Sequence, residues 1–337
     1  MSEQVLRSSN EKLRVGILGS GNWAKVHAQV IERCQNLEVV AFFSRVEEYV
    51  TVEGKIFRCY SSIEKMIGES SPHICLVANA TKFHYVDALC VLNEGTSVLI
   101  EKPLNISFDE ALNLERLART KDLFVGVSLP QRYDKKFLQL NSLLKSNYFG
   151  SVDFVDIKTF YHRSDESINH TLSQAGAYSP FALLMHYGVH YYDAACNALE
   201  LRDLEVNSYV VRENYEGVVK SATFLLTPKD SKTTVSLTFS TTSCPGRKNS
   251  LEVIGSKDSI YLNRNGLFLD DNANRCVQSA PSFEDYLRLL WLDYYDLMLN
   301  GDFSTSRISL DGLLALRHLF PSHEEKNPLT FSEVLLI

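Results

Sequence analysis

The sequence predicts an α/β protein in which a doubly wound parallel sheet is followed by an α+β domain with a mostly antiparallel sheet. Three observations support this prediction. An apolar strand runs into the glycine turn 19–24 and then into a helical pattern. Short apolar strands alternate with helices as far as about residue 128, which is typical of a parallel sheet covered on both faces. From residue 152 the strands alternate apolar and polar side chains, which is typical of an antiparallel sheet with one buried face.

The N-terminal elements follow one another in βα order. Strands are predicted at Arg14–Leu18, Leu37–Phe43, Phe57–Tyr60, Ile74–Ala78, Thr96–Ile100 and Leu123–Val127. Helices are predicted at 23–34, 62–68, 82–93 and 107–119, and two of them begin with capping boxes, Ser61 with Glu64 and Ser107 with Glu110. A sheet of this kind binds its ligand at the carboxyl ends of the strands.

The pattern changes near residue 128, where we place the boundary between a dinucleotide-binding domain, 1–128, and a second domain, 129–337. Helices are predicted at 135–146, at 181–198, over Leu310–Phe320 and generally beyond Ser282. Strands are predicted at Val152–Tyr161, Glu205–Val211, Val218–Leu226, Thr233–Ser240, Ser250–Ile254 and Ser259–Leu262. Within 233–240, Val235, Leu237 and Phe239 share one face, and Thr234, Ser236, Thr238 and Ser240 share the other.

The glycine turn Gly19-Ser20-Gly21-Asn22-Trp23-Ala24 has the G-x-G-x-x-A pattern of a dinucleotide-binding loop. Gly19 permits the tight turn, and Gly21 lets the main chain approach a pyrophosphate. The following helix offers free N–H groups, so we expect Gly19, Gly21, Asn22 and Trp23 to hold the pyrophosphate. The alternative is a glycine-rich turn that binds nothing.

Composition excludes several classes of protein. The 337 residues suffice for two domains, and a net charge of −7 argues against broad binding to nucleic acid or to an anionic membrane. No apolar stretch is long enough to span a bilayer, and the segment from Met1 to Lys12 lacks the apolar core of a signal peptide. Seven cysteines are scattered without a C-x-x-C motif, which favours reduced thiols and a cytoplasmic location.

The end of the second strand bears on the choice of cofactor. An acidic residue there would bind the 2′-hydroxyl of NAD(H), but this chain carries Ser44 and Arg45. Serine and arginine can bind and neutralise a 2′-phosphate, so the sequence favours NADP(H) over NAD(H). The alternative is that Arg45 is a solvated loop charge, and the neighbouring Glu47 and Glu48 support it.

Glu101-Lys102-Pro103 directly follows the strand that ends at Ile100. A lysine at this edge can orient a hydroxyl or carbonyl group and stabilise negative charge that develops on its oxygen. Pro103 restricts Lys102 to extended backbone. A structural ion pair is the alternative interpretation of the two charges. Arg132, after the sixth strand, could likewise reach the pocket or form a salt bridge.

Four segments in this order match a known family: the glycine turn, Asn79-Ala80-Thr81-Lys82-Phe83-His84, Glu101-Lys102-Pro103, and Gly188-Val189-His190-Tyr191-Tyr192-Asp193. The chain therefore resembles the Gfo/Idh/MocA oxidoreductases over about residues 12–320. The resemblance implies a Rossmann domain, a second domain whose large open sheet forms homodimers or homotetramers, and hydride transfer between a nicotinamide and a sugar-like carbonyl or alcohol carbon.

The resemblance also implies roles for individual residues. Lys102 would contact substrate and cofactor, and His190 would be the acid/base. We further expect Asn79, His84 and Glu101 to line the cofactor, although His84 could instead cap its helix.

The chain departs from the family pattern at three places. His186 stands where aspartate is common, Pro180-Phe181-Ala182 replaces a glycine run, and Asn79-Ala80-Thr81 replaces a T-P-N turn. At helical spacing, His186 and His190 would share one face, and repulsion would disfavour protonation of both rings. We therefore expect His190 to move the proton and His186 to tune it.

The motifs predict an NADP(H)-dependent oxidoreductase, and the resemblance implies a sugar-like substrate, a class that includes keto- and nucleotide-linked sugars. Two alternatives stay open. One is a non-catalytic, cofactor-binding sensor of the same fold, and the other is a reductase of an imine or an activated alkene. A metal site at His186, His190 and Asp193 is disfavoured because the intervening sequence lacks the glutamate of the zinc-helix motif.

Overall fold

The computed structural model describes residues 11–104, 108–175, 183–201, 204–213, 218–229, 231–242, 248–269, 276–278 and 282–301. Within these ranges the strands form a seven-stranded and an eight-stranded sheet. The α/β fold class predicted from the sequence is confirmed. The Leu310–Phe320 helix lies outside the described residues.

The first sheet has the order β3-β4-β2-β1-β5-β6-β7. Its strands are β1 (Leu13–Leu18), β2 (Leu37–Phe43), β3 (Tyr49–Val52), β4 (Lys55–Tyr60), β5 (Ile74–Val77), β6 (Ser97–Glu101) and β7 (Val125–Ser128). The described pairings are parallel, as predicted, apart from the β3–β4 hairpin. Reversal of strand order on either side of β1 places a ligand crevice at the carboxyl ends of β1 and its neighbours.

Strand β3 was not predicted from the sequence. Glu53 and Gly54 join β3 to β4, and both have positive φ, 48° and 84°. This is the backbone that tight hairpins favour, but glutamate rarely adopts it and is a poor signal of a turn.

Four helices accompany this sheet: α1 (Asn22–Glu32), α2 (Ile63–Ser70), α3 (His84–Asn93) and α4 (Phe108–Thr120). The cap predicted at Ser61 is wrong by one residue. Ser62 caps α2, because its side chain accepts a hydrogen bond from the main-chain N–H of Lys65. Ser107 of the other predicted capping box lies outside the described residues.

The second sheet has the order β15-β14-β13-β12-β8-β11-β10-β9. Its strands are β8 (Val152–Phe160), β9 (Leu204–Glu213), β10 (Val219–Pro228), β11 (Thr234–Ser240), β12 (Lys248–Gly255), β13 (Ser259–Asn263), β14 (Gly266–Leu269) and β15 (Cys276–Gln278). The described pairings are antiparallel except that of β8 with β11. In β11 the three predicted apolar side chains are buried.

Three helices belong to this region: α5 (Lys135–Lys145), α6 (Asp165–Ala175) and α7 (Val189–Ala198). The prediction of one helix over 181–198 needs correction. Residues Leu184–Gly188 form a π-helical turn, and the regular α-helix begins at Val189. The sequence did not predict α6, whose segment is mainly polar.

The last described helix, α8 (Phe283–Asn300), packs against α1. Its buried side chains Leu287, Leu290 and Trp291 join the core that contains Ile17 and Phe42 of the first sheet. A C-terminal helix therefore completes the N-terminal core. Among the described residues, none of the helices combines the length and apolar character that crossing a bilayer requires.

Candidate active site

The predicted cofactor-binding residues lie at one edge of the first sheet. Gly19 follows β1, Ser44 follows β2, and Asn79 comes just after β5. Glu101 ends β6, and Lys102 comes next. Because these strands are parallel, the sheet brings their carboxyl ends together.

The glycine turn has the geometry that a dinucleotide loop needs. Gly19 has φ of +133°, and a Cβ there would lie 2.6 Å from the carbonyl oxygen of Ala78. A Cβ on Gly21 would enter open space. No side chain caps α1 at Gly21, so its first N–H groups face outward. The turn thus leaves room for a pyrophosphate directly at a helix N-terminus.

Ser44 and Arg45 both have partners at the end of β2. The hydroxyl of Ser44 accepts a hydrogen bond from the main chain of Glu47 at 2.9 Å. The guanidinium of Arg45 donates to both carboxylate oxygens of Asp87, at 2.9 and 2.6 Å. It also packs over the ring of Phe83, 4.3 Å from its centroid. Arg45 is therefore held in an ion pair, while 39% of its side chain stays exposed to solvent.

Asn79 and His84 join neighbouring loops at this edge. The amide of Asn79 donates a hydrogen bond to Asp87. The imidazole of His84 lies 3.1 Å from the carbonyl oxygen of Asn79 and 3.1 Å from that of Pro103. Burial lowers the pKa of His84, although the two carbonyl contacts act in the opposite direction. His84 thus connects the loop after β5 with the loop after β6.

Glu101 is held by a buried network that the sequence reasoning missed. The indole of Trp291 donates to Nδ1 of His27 at 3.0 Å, and Nε2 of His27 lies 2.7 Å from a carboxylate oxygen of Glu101. Because an indole can only donate, Nδ1 of His27 is the acceptor and Nε2 carries the proton. Burial raises the pKa of Glu101, but the contact with His27 and the charge of Lys102 outweigh it, and the net direction is downward. The one sequence feature that could have indicated this network is His27, a histidine among the buried residues of α1.

Lys102 reaches across to the π-helical turn. Its Nζ donates a hydrogen bond to the main-chain carbonyl oxygen of His186 at 3.1 Å. Burial, with the charges of Lys102 and Arg163, lowers the pKa of the His186 imidazole to about 3. That ring packs edge-on against Tyr187. His186 is consequently neutral near pH 7, and its main-chain carbonyl oxygen accepts the hydrogen bond from Lys102.

The π-helical turn alters the predicted relationship of His186 and His190. The main-chain N–H of Val189 bonds to the carbonyl of Leu184, five residues back, so the shared face of a regular α-helix does not apply across this segment. Gly188 is closely packed there: a Cβ would lie 2.6 Å from a terminal methyl group of Leu184 and 3.2 Å from the side chains of Phe239 and Thr159. His190 occupies the first turn of α7 and is half-buried.

Asp193 and Arg132 form a buried, bidentate ion pair. Nε and Nη2 of Arg132 each donate to one carboxylate oxygen of Asp193, at 2.7 Å. The sequence left open whether Arg132 enters the pocket or forms a salt bridge, and the structure shows the salt bridge. The salt bridge connects the segment after β7 to α7. It also engages the carboxylate of Asp193, which the disfavoured metal site would use as a ligand.

Comparison with known families supports the interpretation of the first sheet as part of a dinucleotide-binding domain. Residues 13–129 match the model of the oxidoreductase family Gfo/Idh/MocA, described as an NAD-binding Rossmann fold. This part of the chain belongs to the Gfo/Idh/MocA oxidoreductases. The predicted family and the Rossmann fold are thereby confirmed.

Relatives of this chain include two proteins of Bacillus subtilis (strain 168). Glucose-6-phosphate 3-dehydrogenase is 28% identical over 156 residues, 45% of this chain and 43% of that protein. The scyllo-inositol 2-dehydrogenase (NADP(+)) IolW is 23% identical over 155 residues, 46% of this chain and 42% of that protein. These matches span less than half the length of either relative.

Solved structures extend the likeness of fold to nearly the whole chain. GenD2 from gentamicin A biosynthesis, in complex with NAD, has a TM-score of 0.73 at 18% identity and covers 92% of this chain and 94% of its own. The WlbA dehydrogenase from Bordetella pertussis, in complex with NADH and UDP-GlcNAcA, also has a TM-score of 0.73, at 15% identity, with 92% and 95% coverage. At such identities the likeness shows the fold alone.

Proposed function

We propose that this chain is an NADP(H)-dependent dehydrogenase or reductase that acts on a CH–OH or C=O carbon of a sugar-like substrate. The observation that carries the proposal is the hydrogen bond from Lys102 to the His186 carbonyl. It joins the Glu-Lys-Pro segment to the segment bearing His190, at the edge where the glycine turn lies. The two Bacillus relatives are dehydrogenases named for glucose 6-phosphate and scyllo-inositol, which favours the same substrate class.

The chain's own residues divide the work. Gly19, Gly21, Asn22 and Trp23 would hold the pyrophosphate, and Ser44 and Arg45 would face the 2′-position of the adenosine ribose. Asn79, His84 and Glu101 would support the loops around the nicotinamide, which supplies or accepts the hydride when bound. Lys102 would orient the reacting oxygen, and His190 would take or give its proton. His186 would fix Lys102 through its carbonyl group.

A turnover assay tests the proposal. Purified protein is incubated with NADP⁺ or NAD⁺ and a panel of inositols, aldoses, sugar phosphates and sugar nucleotides, and the reduced nicotinamide is followed by absorbance. We expect turnover with a member of this panel and a preference for NADP⁺. Tight cofactor binding without turnover on the alcohols, on their ketones with NADPH, or on an imine and alkene panel would instead favour a sensor.

The sheets also suggest an organisation for the whole chain. We propose two domains, residues 1–128 and residues 129–337, with α8 of the second packing against the core of the first.

The open face of the second sheet carries exposed apolar side chains at Val210, Leu225, Ile254 and Tyr261. We propose that this face forms a homodimer or homotetramer, which sedimentation of wild-type protein and Tyr261→Asp would test. We further propose a cytoplasmic location without nucleic-acid or membrane partners.

A further inference from the structure

The ion pair between Arg45 and Asp87 lies where the cofactor's adenosine ribose is expected. Both terminal nitrogens of Arg45 donate to Asp87, at 2.9 and 2.6 Å. The Asp87 side chain is only 3% exposed, whereas that of Arg45 is 39% exposed. One edge of the guanidinium is therefore turned to a buried carboxylate, and the remainder is accessible to solvent.

Other contacts fix both members of the pair. Asp87 belongs to the first turn of α3 and also accepts a hydrogen bond from the amide of Asn79. Arg45 lies over the rings of Phe83, at 4.3 Å, and Phe43, at 4.8 Å. The two phenylalanine rings constrain the guanidinium independently of Asp87. Asp87 is thus not needed as the sole support of Arg45, and its main electrostatic effect is to cancel the positive charge.

That cancellation affects the two cofactors differently. NADP(H) carries a phosphate monoester at the 2′-position, with a charge of about −1.5 to −2 near pH 7, whereas NAD(H) carries a neutral hydroxyl there. An unpaired guanidinium would attract the 2′-phosphate strongly. When the guanidinium is paired with Asp87, the phosphate is also repelled by the nearby carboxylate, and the net attraction is smaller. A 2′-hydroxyl is almost insensitive to that charge.

We propose that Asp87 is a specificity-determining residue, an internal counter-ion of Arg45 that lowers the affinity for NADPH relative to NADH. The inference rests on the proposed cofactor binding at this edge. Arg45 would then favour NADPH over NADH only moderately. The residue that limits this preference lies on α3, outside the segment after β2 that usually determines the choice between the two cofactors.

Fluorescence titration of NADPH and NADH into the full-length protein tests the proposal without a known substrate. The variants are Asp87→Asn, Arg45→Ala and the double variant. Asparagine keeps the size of the side chain and an oxygen that can accept the hydrogen bond from Asn79. Glu47→Gln is the matched control, because it removes the same charge from the exposed loop after β2 without touching the pair.

We expect Asp87→Asn to lower the Kd for NADPH by about tenfold, the scale of one charge interaction near a protein surface, and to change the Kd for NADH by less than about twofold. Arg45→Ala should weaken NADPH selectively, and adding Asp87→Asn to it should restore no selectivity. Glu47→Gln should shift the NADPH affinity much less than Asp87→Asn.

Three results would overturn the proposal: weaker NADPH binding by Asp87→Asn, which would make Asp87 an orienting residue; equal gains for both cofactors; or a selective gain that persists without Arg45. The wild-type preference is a separate result. If the wild type prefers NADH but Asp87→Asn moves the ratio toward NADPH, the proposed preference fails and the role of Asp87 stands. If no variant binds either cofactor, both fail.

Discussion

Lys102 donates a hydrogen bond from Nζ to the main-chain carbonyl oxygen of His186 at 3.1 Å. The donor follows β6, and the acceptor lies in the π-helical turn before α7, so one bond connects the two sequence motifs. Since the acceptor is backbone, residue 186 can fix Lys102 whatever its side chain. This explains how a histidine is compatible with a position where aspartate is common in the family.

The first prediction concerns Lys102→Met. Methionine keeps an unbranched side chain but removes the charge, so we expect kcat to fall about 10²-fold or more, because the charge acts mainly in the transition state. The Kd for NADPH should change little. Steady-state kinetics and fluorescence titration separate the two quantities. Lys82→Met, on the neighbouring turn, is the control, and a loss confined to cofactor affinity would make Lys102 a structural residue.

The second prediction concerns the pH dependence of kcat/KM. His190→Asn should nearly abolish turnover, because asparagine cannot exchange the proton. His186→Gln should leave the pH profile in place, since the ring it replaces is neutral at working pH. Robust activity of His190→Asn would transfer the acid/base role to Lys102.

The third prediction concerns stability in acid. Burial lowers the pKa of His186 to about 3 in the folded protein, whereas an ordinary histidine has a pKa of about 6.5. Below pH 6.5 the His186 ring is protonated in the unfolded chain but stays neutral in the folded protein. The contribution of His186 to the free energy of unfolding is therefore fully present above pH 6.5 and is lost progressively as the pH falls toward 3. His186→Gln should reduce the slope of the unfolding free energy by up to about 1.4 kcal/mol per pH unit.

Urea unfolding at pH values from 4.5 to 7 checks this effect. His162→Gln is the matched control, because it removes an imidazole from an exposed position. Parallel curves for His186→Gln and the wild type would show that the His186 ring takes up its proton in the folded protein as readily as in the unfolded chain.

The order of elements around the first sheet was predictable because local rules determine it. The apolar run that became β1 and the glycine turn after it leave few alternatives, and βα alternation dictates parallel pairing. The exceptions have local causes: the hairpin turn uses Glu53 at positive φ, and α6 has few apolar side chains. The parallel pairing of β8 with β11 joins strands distant in sequence, and no local pattern encodes it.

The sequence motifs located the candidate residues of the site but not their contacts. The motifs located Lys102 and Arg45, but the partner of each comes from a distant segment: the His186 carbonyl and Asp87. Trp291 reaches His27 from 264 positions away. Long-range polar pairs of this kind carry no periodicity, so a single sequence does not reveal them.

The fourth prediction compares the two glycines of the turn. Gly21→Ala places a methyl group in open space, so the melting temperature should stay near that of the wild type while NADPH binding is lost. Gly19→Ala combines a φ of +133° with a Cβ 2.6 Å from the Ala78 carbonyl oxygen, so it should lower the melting temperature clearly. Thermal melts and cofactor titrations of both variants check this, and normal cofactor binding by Gly21→Ala would contradict the proposed pyrophosphate site.

The last prediction concerns the network Trp291–His27–Glu101. Trp291→Phe keeps an aromatic ring but leaves Nδ1 of the buried His27 without its donor and shortens a fully buried side chain. We expect the free energy of unfolding to fall by about 2–4 kcal/mol, from an unsatisfied polar atom together with a small cavity. Trp23 is 45% exposed, so Trp23→Phe is the matched control and should cost less than about 1 kcal/mol.

Nitrogen NMR of the histidine rings adds a readout that packing alone would not change. In the wild type, His27 should be locked in the form with the proton on Nε2, because the indole occupies Nδ1 and Glu101 accepts from Nε2. Trp291→Phe should release the constraint on Nδ1 and let the other tautomer appear, which would loosen the carboxylate at the end of β6, next to Lys102. A single Nε2–H form in both proteins would show that Glu101 alone sets the tautomer and that Trp291 contributes only packing.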